Sequence, residues 1–265
     1  MLKSGENMRQ LEILHPREFE AKFDELAARF GGAADKIACF DLDGTLIRHD
    51  MGEAVFARMK AGGRDLPLSW KQYQEMIREG KSIDAYREMA ACMAGIAVAE
   101  IEKATAEVMQ SENSLITFPE RKTEISIPVP KPFPWMQNFT EFLAARGFDL
   151  YIVSASNDIS VKTAAKAWFG IPEENAFGIA CKSITGKWTD EIIEPAPAGP
   201  GKKDVIKQKI GKKPLITAGD SINDRALFLE TAEDGIIIIS GDSSQSIESI
   251  RLILRGKFDI FAIHY

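Results

Sequence analysis

The chain has little cysteine, no long apolar run and no excess of basic charge. Cys39, Cys92 and Cys181 are the only cysteines in 265 residues. They are too few and too scattered for a disulfide framework or a zinc site. Cys39 lies inside an apolar run, where a thiol behaves as a small core residue. No apolar stretch reaches the roughly 20 residues needed to cross a bilayer. Met1-Leu2-Lys3-Ser4-Gly5-Glu6 lacks the apolar segment of a secretory signal. The expected compartment is therefore the cytoplasm, with no membrane partner. Lys and Arg total 33 against 39 Asp and Glu, a net charge of −6, and the basic residues are dispersed. That balance argues against nucleic acid as a partner. Oligomeric state is left open.

Hydrophobic residues make up 45% of the chain, enough for a substantial core in one large domain or a domain with an insertion. The most informative stretch is Ile37-Ala38-Cys39-Phe40-Asp41-Leu42-Asp43-Gly44-Thr45. Four apolar residues in a row read as a buried strand. The strand ends in two carboxylates one residue apart. Alternation sends Asp41 and Asp43 to the same side. Burying both needs a partner that offsets their desolvation. A divalent cation serves, and Mg2+ favours one or two carboxylates plus a substrate phosphate. Gly44 permits a tight turn and Thr45 adds a hydroxyl. The bland alternative is an ordinary Asp/Gly turn. An EF-hand loop fails, because Leu46 and Ile47 follow Thr45.

Helical spacing predicts a helix over 16–30 within an N-terminal helical arm, 1–35, ending at Gly31-Gly32. The first strand follows at about 36–41. A long helical region, about 52–110, is broken near Gly62-Gly63, Gly80 and Gly95. The stretch 114–134, with five prolines, reads as a linker or hinge. From Trp135 helices and strands alternate: helix 135–146, strand 148–153, helix 157–169, a hairpin about Thr185-Gly186 with arms 177–183 and 188–193, helix 202–210, strand 214–218, helix 222–230, strand 235–239 and helix 246–254. The rhythm predicts an α/β fold, a doubly wound parallel sheet. It predicts a catalytic core of 1–50 and 135–265, with a mostly helical cap at 51–134 inserted after the first strand.

Further polar residues collect at predicted strand ends. Ser154 closes the second strand, ahead of Ala155-Ser156-Asn157, where Ser156 or Asn157 serves as a helix cap. Gly219-Asp220-Ser221-Ile222-Asn223-Asp224 closes the third. Lys202 and Lys203 open a helix between them, and either can neutralise an acidic phosphate site. In open α/β sheets that carboxyl edge is where ligands bind. Turn propensity alone does not require acids, a hydroxyl and a lysine to gather on one edge. Gly186-Lys187 is not a phosphate loop, since Trp188 follows and Cys181 stands where such a loop needs Gly.

Together, Asp41-Leu42-Asp43-Gly44-Thr45, Ser154, Lys202 and Gly219–Asp224 resemble the four motifs of the haloacid dehalogenase-like phosphatase superfamily. The resemblance spans about 36–50 and 135–240. The insertion after the first motif looks like that family's first-type helical cap. The phosphoserine and phosphocholine phosphatase-like branch is most similar, although Ser154-Ala155-Ser156 replaces the Ser-Gly-Gly of many phosphoserine phosphatases. The resemblance implies a Mg2+-dependent phosphatase acting on a small organic phosphate monoester. Asp41 is the implied nucleophile, forming an aspartyl-phosphate, and Asp43 the implied acid and base. Asp41, Asp43 (through its backbone carbonyl), Asp220 and Asp224 are the implied metal site. Thr45, Ser154, Ala155, Lys202 and Asn223 are the implied phosphate site. Glu53, close to the catalytic strand, is the candidate for substrate choice, with one of Trp70, Tyr73, Tyr86 and Trp135 beside it. A phosphotransferase or phosphomutase on the same core, or a non-catalytic phosphate-binding module, is the alternative.

Overall fold

The computed structural model describes residues 11–241, 250 and 258–265. Seven strands form one parallel sheet: β1 Leu11–Leu14, β2 Ile37–Phe40, β3 Asp149–Asn157, β4 Ala176–Ile179, β5 Ile216–Gly219, β6 Ile236–Ser240 and β7 Asp259–Ile263. Their order across the sheet is β1-β7-β6-β5-β2-β3-β4. All four residues of β2 are buried. Alternation divides them between two layers. Ala38 and Phe40 join the large core with Phe139, while Ile37 and Cys39 pack with Ile206 and Leu227. A strand covered on both faces tolerates a continuous apolar run, which is why Ile37–Phe40 shows no polar alternation. The expected doubly wound α/β sheet is thus present.

Two edge elements differ from the sequence expectation. The arm at 1–35 is not wholly helical. Its described part opens with β1, which pairs along its length with β7, more than two hundred residues away. Four residues, Leu-Glu-Ile-Leu, carry too short a pattern to reveal a strand whose partner is so remote. Two short helices, Pro16–Glu20 and Phe23–Arg29, follow in place of one. The helix expected at 246–254 lies outside the described residues apart from Ile250. Phe19 anchors the arm. Its ring centroid lies 5.3 Å from Phe23, 5.9 Å from Trp135 and 5.0 Å from Phe139.

The insertion after β2 holds four helices, Met51–Ala61, Trp70–Arg78, Ser82–Ala91 and Val98–Gln110. They break where the glycines stand. The stretch 114–134 is not a linker. Leu115–Glu120 and Thr123–Pro128 form an antiparallel hairpin, burying Ile116, Phe118 and Ile127. The prolines hid it. In a two-stranded ribbon half the N–H groups face away from the partner, so Pro119 and Pro128 are tolerated there. The insertion returns through a short antiparallel pair, Ile47 opposite Pro132 and Arg48 opposite Lys131. The second hairpin is Cys181–Ile184 with Lys187–Ile192, turning at Thr185 and Gly186, both at positive φ. Phe177 belongs instead to β4, beyond the break at Ala180.

Phe19→Ala should cost about 3–5 kcal/mol, because a fully buried ring leaves a cavity between the arm and the sheet. Urea unfolding measures it. A loss under ~1 kcal/mol would mean that the arm is not part of the cooperative core.

Candidate active site

The chain leaves β2 for β3 and β4 on one side, then lays β5, β6 and β7 on the other. The crevice between β2 and β5 is therefore the switch point of the sheet, where ligands bind at the carboxyl ends. Asp41 follows β2 directly and Asp220 follows β5 directly. The Asp41 N–H donates to the Ala218 carbonyl at 2.9 Å, locking the two strand ends together. Gly44 has φ +72°, and a Cβ there would lie 2.7 Å from Asp220 Oδ2. Only glycine fits a turn that tight against a carboxylate.

Lys202 Nζ donates to Asp41 Oδ1 and to Asp224 Oδ1, each at 2.6 Å, and its side chain is 3% exposed. Lys203, left open beside it by the sequence, lies on the surface near Glu230. Gly201 and Lys202 open the helix that makes this reach. Asp224 is fixed on its other oxygen by the Asp220 and Ser221 N–H groups, at 3.0 and 3.3 Å. Asp41, Asp220 and Asp224 each bring a carboxylate oxygen within 4.8 Å of the other two.

Asp43 is turned away from that trio. Its Oδ2 accepts from Ser154 Oγ at 3.0 Å and Ser156 Oγ at 2.8 Å, and its Oδ1 accepts from the Met51 N–H at 2.7 Å. Ser154 Oγ also accepts from the Ser156 N–H at 3.1 Å. Ser156 is thus more than a helix cap; Asn157 holds that place, accepting from the Ser160 N–H at 2.9 Å.

A cavity of about 410 Å³ opens over these groups. Asp41, Asp43, Ala155, Lys202, Asp220, Asn223 and Asp224 line it from the sheet edge, and Glu53 lines it from the insertion. Thr45 and Ser154 do not line it and are fully buried, and Thr45 Oγ1 has no hydrogen-bond partner. Of the candidate aromatics, Tyr73 and Tyr86 reach the cavity. Trp70 packs on Phe56 and Tyr73, and Trp135 on Phe19 and Phe133. Sequence reasoning passed over His49, Asn157, Ile127 and Pro128 as lining groups. The alternation Ile125-Ser126-Ile127 was the available signal for the last pair.

Burial dominates the electrostatics. It pushes Asp41 up to about 8 against the pull of Lys202, with Asp224 and Asp43 adding to the rise. Burial and then Asp50 push Asp43 up to about 7. Burial, then Glu53, pushes Asp50 up to about 8. Asp220 rises well above the carboxylate range through burial and then Asp224. Burial alone would lower Lys202, but Asp224 and Asp41 outweigh it and hold it above its ordinary value. Three converging carboxylates share one lysine. That donor set, all oxygen and in excess of negative charge, fits a hard divalent cation.

A family model for haloacid dehalogenase-like hydrolases matches residues 38–229. The chain belongs to that family. Comparison with curated proteins finds no match. A conserved protein of unknown function from Anaerococcus prevotii DSM 20548 superposes with a TM-score of 0.67 at 18% identity, covering 97% of this chain and 93% of its own. A phosphoserine phosphatase solved with substrate bound gives 0.54 at 18% identity, over 86% and 92%. A phosphoserine phosphohydrolase-like protein from Francisella tularensis subsp. tularensis SCHU S4 gives 0.56 at 18%, over 86% and 94%. The likeness is one of fold. No helix among the described residues is long and apolar enough to cross a membrane.

These carboxyls titrate near 4 in an unfolded chain. In the folded, metal-free protein the values for Asp41, Asp43 and Asp50 are about 8, 7 and 8. Between those limits the folded state binds more protons, so their contribution is greatest below the unfolded value and is lost as pH rises through 7 and 8. The chelated protein should therefore melt at a lower temperature at pH ~8.5 than at pH ~6, and a divalent cation should restore most of the loss. A flat profile in calorimetry, with and without chelator, would contradict this.

Proposed function

We propose that the protein is a Mg2+-dependent phosphatase that hydrolyses a small organic phosphate monoester through an aspartyl-phosphate on Asp41. The observation that carries the reading is the division of labour between two buried carboxylates at the end of β2. Asp41 points at the lysine and converges with Asp220 and Asp224, and Asp43 points at two hydroxyls and an N–H. Both line one cavity.

A carboxylate can serve as a covalent nucleophile. An Asp41 oxygen attacks phosphorus and the ester oxygen departs, taking a proton from Asp43. Asp43, now a carboxylate, takes a proton from water as that water's oxygen attacks phosphorus. Inorganic phosphate leaves, and Asp41 is regenerated with Asp43 protonated. A value of about 7 suits a group that must give and then take a proton near neutral pH. Asp41, Asp220 and Asp224, with the Asp43 carbonyl, would hold Mg2+, which when bound offsets the repulsion between carboxylate and phosphate. Lys202, Asn223 and the Ala155 amide, which line the cavity, form the phosphate cradle, where charge spreads over the phosphoryl oxygens. Ser154 Oγ is committed to Asp43 and to the Ser156 N–H, so it acts by orienting the acid. The insertion at 51–134 acts as a cap over this edge, keeping water from Asp41 during attack. The cytoplasmic setting belongs to the same reading; all three cysteines are free and buried.

Purified protein with Mg2+ should release phosphate from an aryl phosphate, and excess chelator should stop it. Asp41→Asn should lower turnover by at least ~10³-fold with the fold intact. Full activity in chelator would remove the metal from the mechanism, and near wild-type turnover in Asp41→Asn would move the nucleophile elsewhere. Asp43→Asn should slow alkyl phosphates by about 10²–10⁴-fold. Phosphate release with alkyl esters shows it, and an unchanged rate would relieve Asp43 of its proton.

A further inference from the structure

Two acids face the cavity from the insertion, apart from those at the sheet edge. Asp50 caps the helix Met51–Ala61, accepting from the Glu53 N–H at 2.7 Å. Glu53 stands one turn on, and its Oε1 accepts from the Tyr73 hydroxyl at 3.0 Å. Tyr86 lines the same wall. The wall is therefore acidic and aromatic.

It offers no cation. Among the described residues lining the cavity, Lys202 is the only one with a fixed positive charge, and it is engaged by Asp41 and Asp224. His49 also lines it, but burial and then Arg48 hold its pKa below the ordinary value, leaving it neutral at neutral pH. The neighbouring cations point elsewhere. Arg48 lies over the rings of Phe133 and Tyr265, Arg58 pairs with Glu107, and Lys60 donates to the Leu66 carbonyl. A second anion on the substrate would find no positive partner here.

The core side of the cavity asks for the opposite chemistry. Asn157 lines it and is 3% exposed. Its Oδ1 caps the following helix, while Nδ2 has no acceptor. A buried donor left unpaired is costly, so this amide calls for an incoming oxygen. The cavity thus wants oxygen acceptors at one end and a cation at the other.

Resting on the phosphatase reading, we propose that the substrates are phosphate monoesters whose alcohol carries a protonated amine and no second anion. The ammonium lies against Glu53 and Asp50, with the rings of Tyr73 and Tyr86 beside it, and the ester phosphate lies at Asp41 with an oxygen on Asn157. An ammonium pairs with carboxylates by charge-assisted hydrogen bonds and is attracted to aromatic faces. It also offsets the repulsion among Asp43, Asp50 and Glu53. Phosphoserine fits poorly, because its carboxylate would find no positive partner.

Steady-state kinetics of the Mg2+-loaded protein with 2-aminoethyl phosphate, ethyl phosphate, O-phosphoserine and 3-phosphoglycerate test the proposal. The amine ester should exceed ethyl phosphate in kcat/KM by about tenfold or more, and should exceed both carboxylate esters. In Glu53→Gln the ratio of amine to ethyl ester should fall close to one. Calorimetric binding of 2-aminoethylphosphonate against ethylphosphonate to the wild-type protein needs neither turnover nor a variant, and the amine should bind more tightly. Equal or better use of ethyl phosphate, a preference for phosphoserine, an unchanged ratio in a folded Glu53→Gln protein, or equal phosphonate binding would each overturn the proposal. If no ester is hydrolysed, aryl phosphate included, the phosphatase reading fails, and the phosphonate pair alone decides the amine preference.

Discussion

One ammonium group lies between two buried carboxylates at the point where the sheet reverses its order. Lys202 Nζ is 2.6 Å from Asp41 and 2.6 Å from Asp224, with almost no access to water. Burying charge is tolerable only when it is paired. One lysine cannot neutralise Asp41, Asp220 and Asp224 together, and the deficit makes the site. It leaves oxygen ligands with surplus negative charge facing a cavity, where a divalent cation and then an anionic ester can enter. The surrounding sequence is constrained by this arrangement. Gly44 must lack a side chain for the first turn to pass Asp220, and the Asp41 N–H must reach Ala218 to hold β2 and β5 in register.

The site was legible because its parts sit on short local patterns. An apolar run ending in Asp41 and Asp43 marks a strand end whatever lies around it, and Gly219–Asp224 does the same. Alternation of strand and helix then places those ends on one edge. What could not be read depends on distance or on competing signals. β1 is short and pairs with β7, across nearly the whole chain. The hairpin at 115–128 was masked by prolines that its open edges accommodate. Lys202 and Lys203 are identical in composition and adjacent; only the helix phase decides that one turns inward. Ser154 was legible as a special residue, yet its partner is the Asp43 carboxylate, which no spacing rule reveals. Asn157 was legible as a cap through its oxygen, but the unpaired nitrogen becomes visible only once its neighbours are known.

The insertion shares a core with the sheet. Its aromatic and aliphatic side chains, Phe56 and Phe118 among them, belong to the same hydrophobic cluster as Phe40 and Phe139 of the sheet layer. Helix Val98–Gln110 touches helix Asp158–Phe169 through the Thr105 and Ser160 hydroxyls, 2.8 Å apart. A shared core holds Glu53 and Tyr73 at a set distance from the sheet edge. On the proposed reading, the alcohol end of a substrate would be judged against these fixed groups, an arrangement that gives specificity through repulsion as well as attraction. The acid-lined wall would, on the same reading, disfavour a carboxylate-bearing ester.

In the proposed reaction the phosphoryl group passes through Asp41. Acid quenching in the first turnovers with a 32P-labelled ester, followed by peptide mapping, tests it most directly. Up to one hydroxylamine-labile phosphoryl group per chain should be found on the peptide carrying Asp41, and it should disappear as free phosphate accumulates. Phosphate released at full rate with no label on the protein, or with label on another residue, would contradict it.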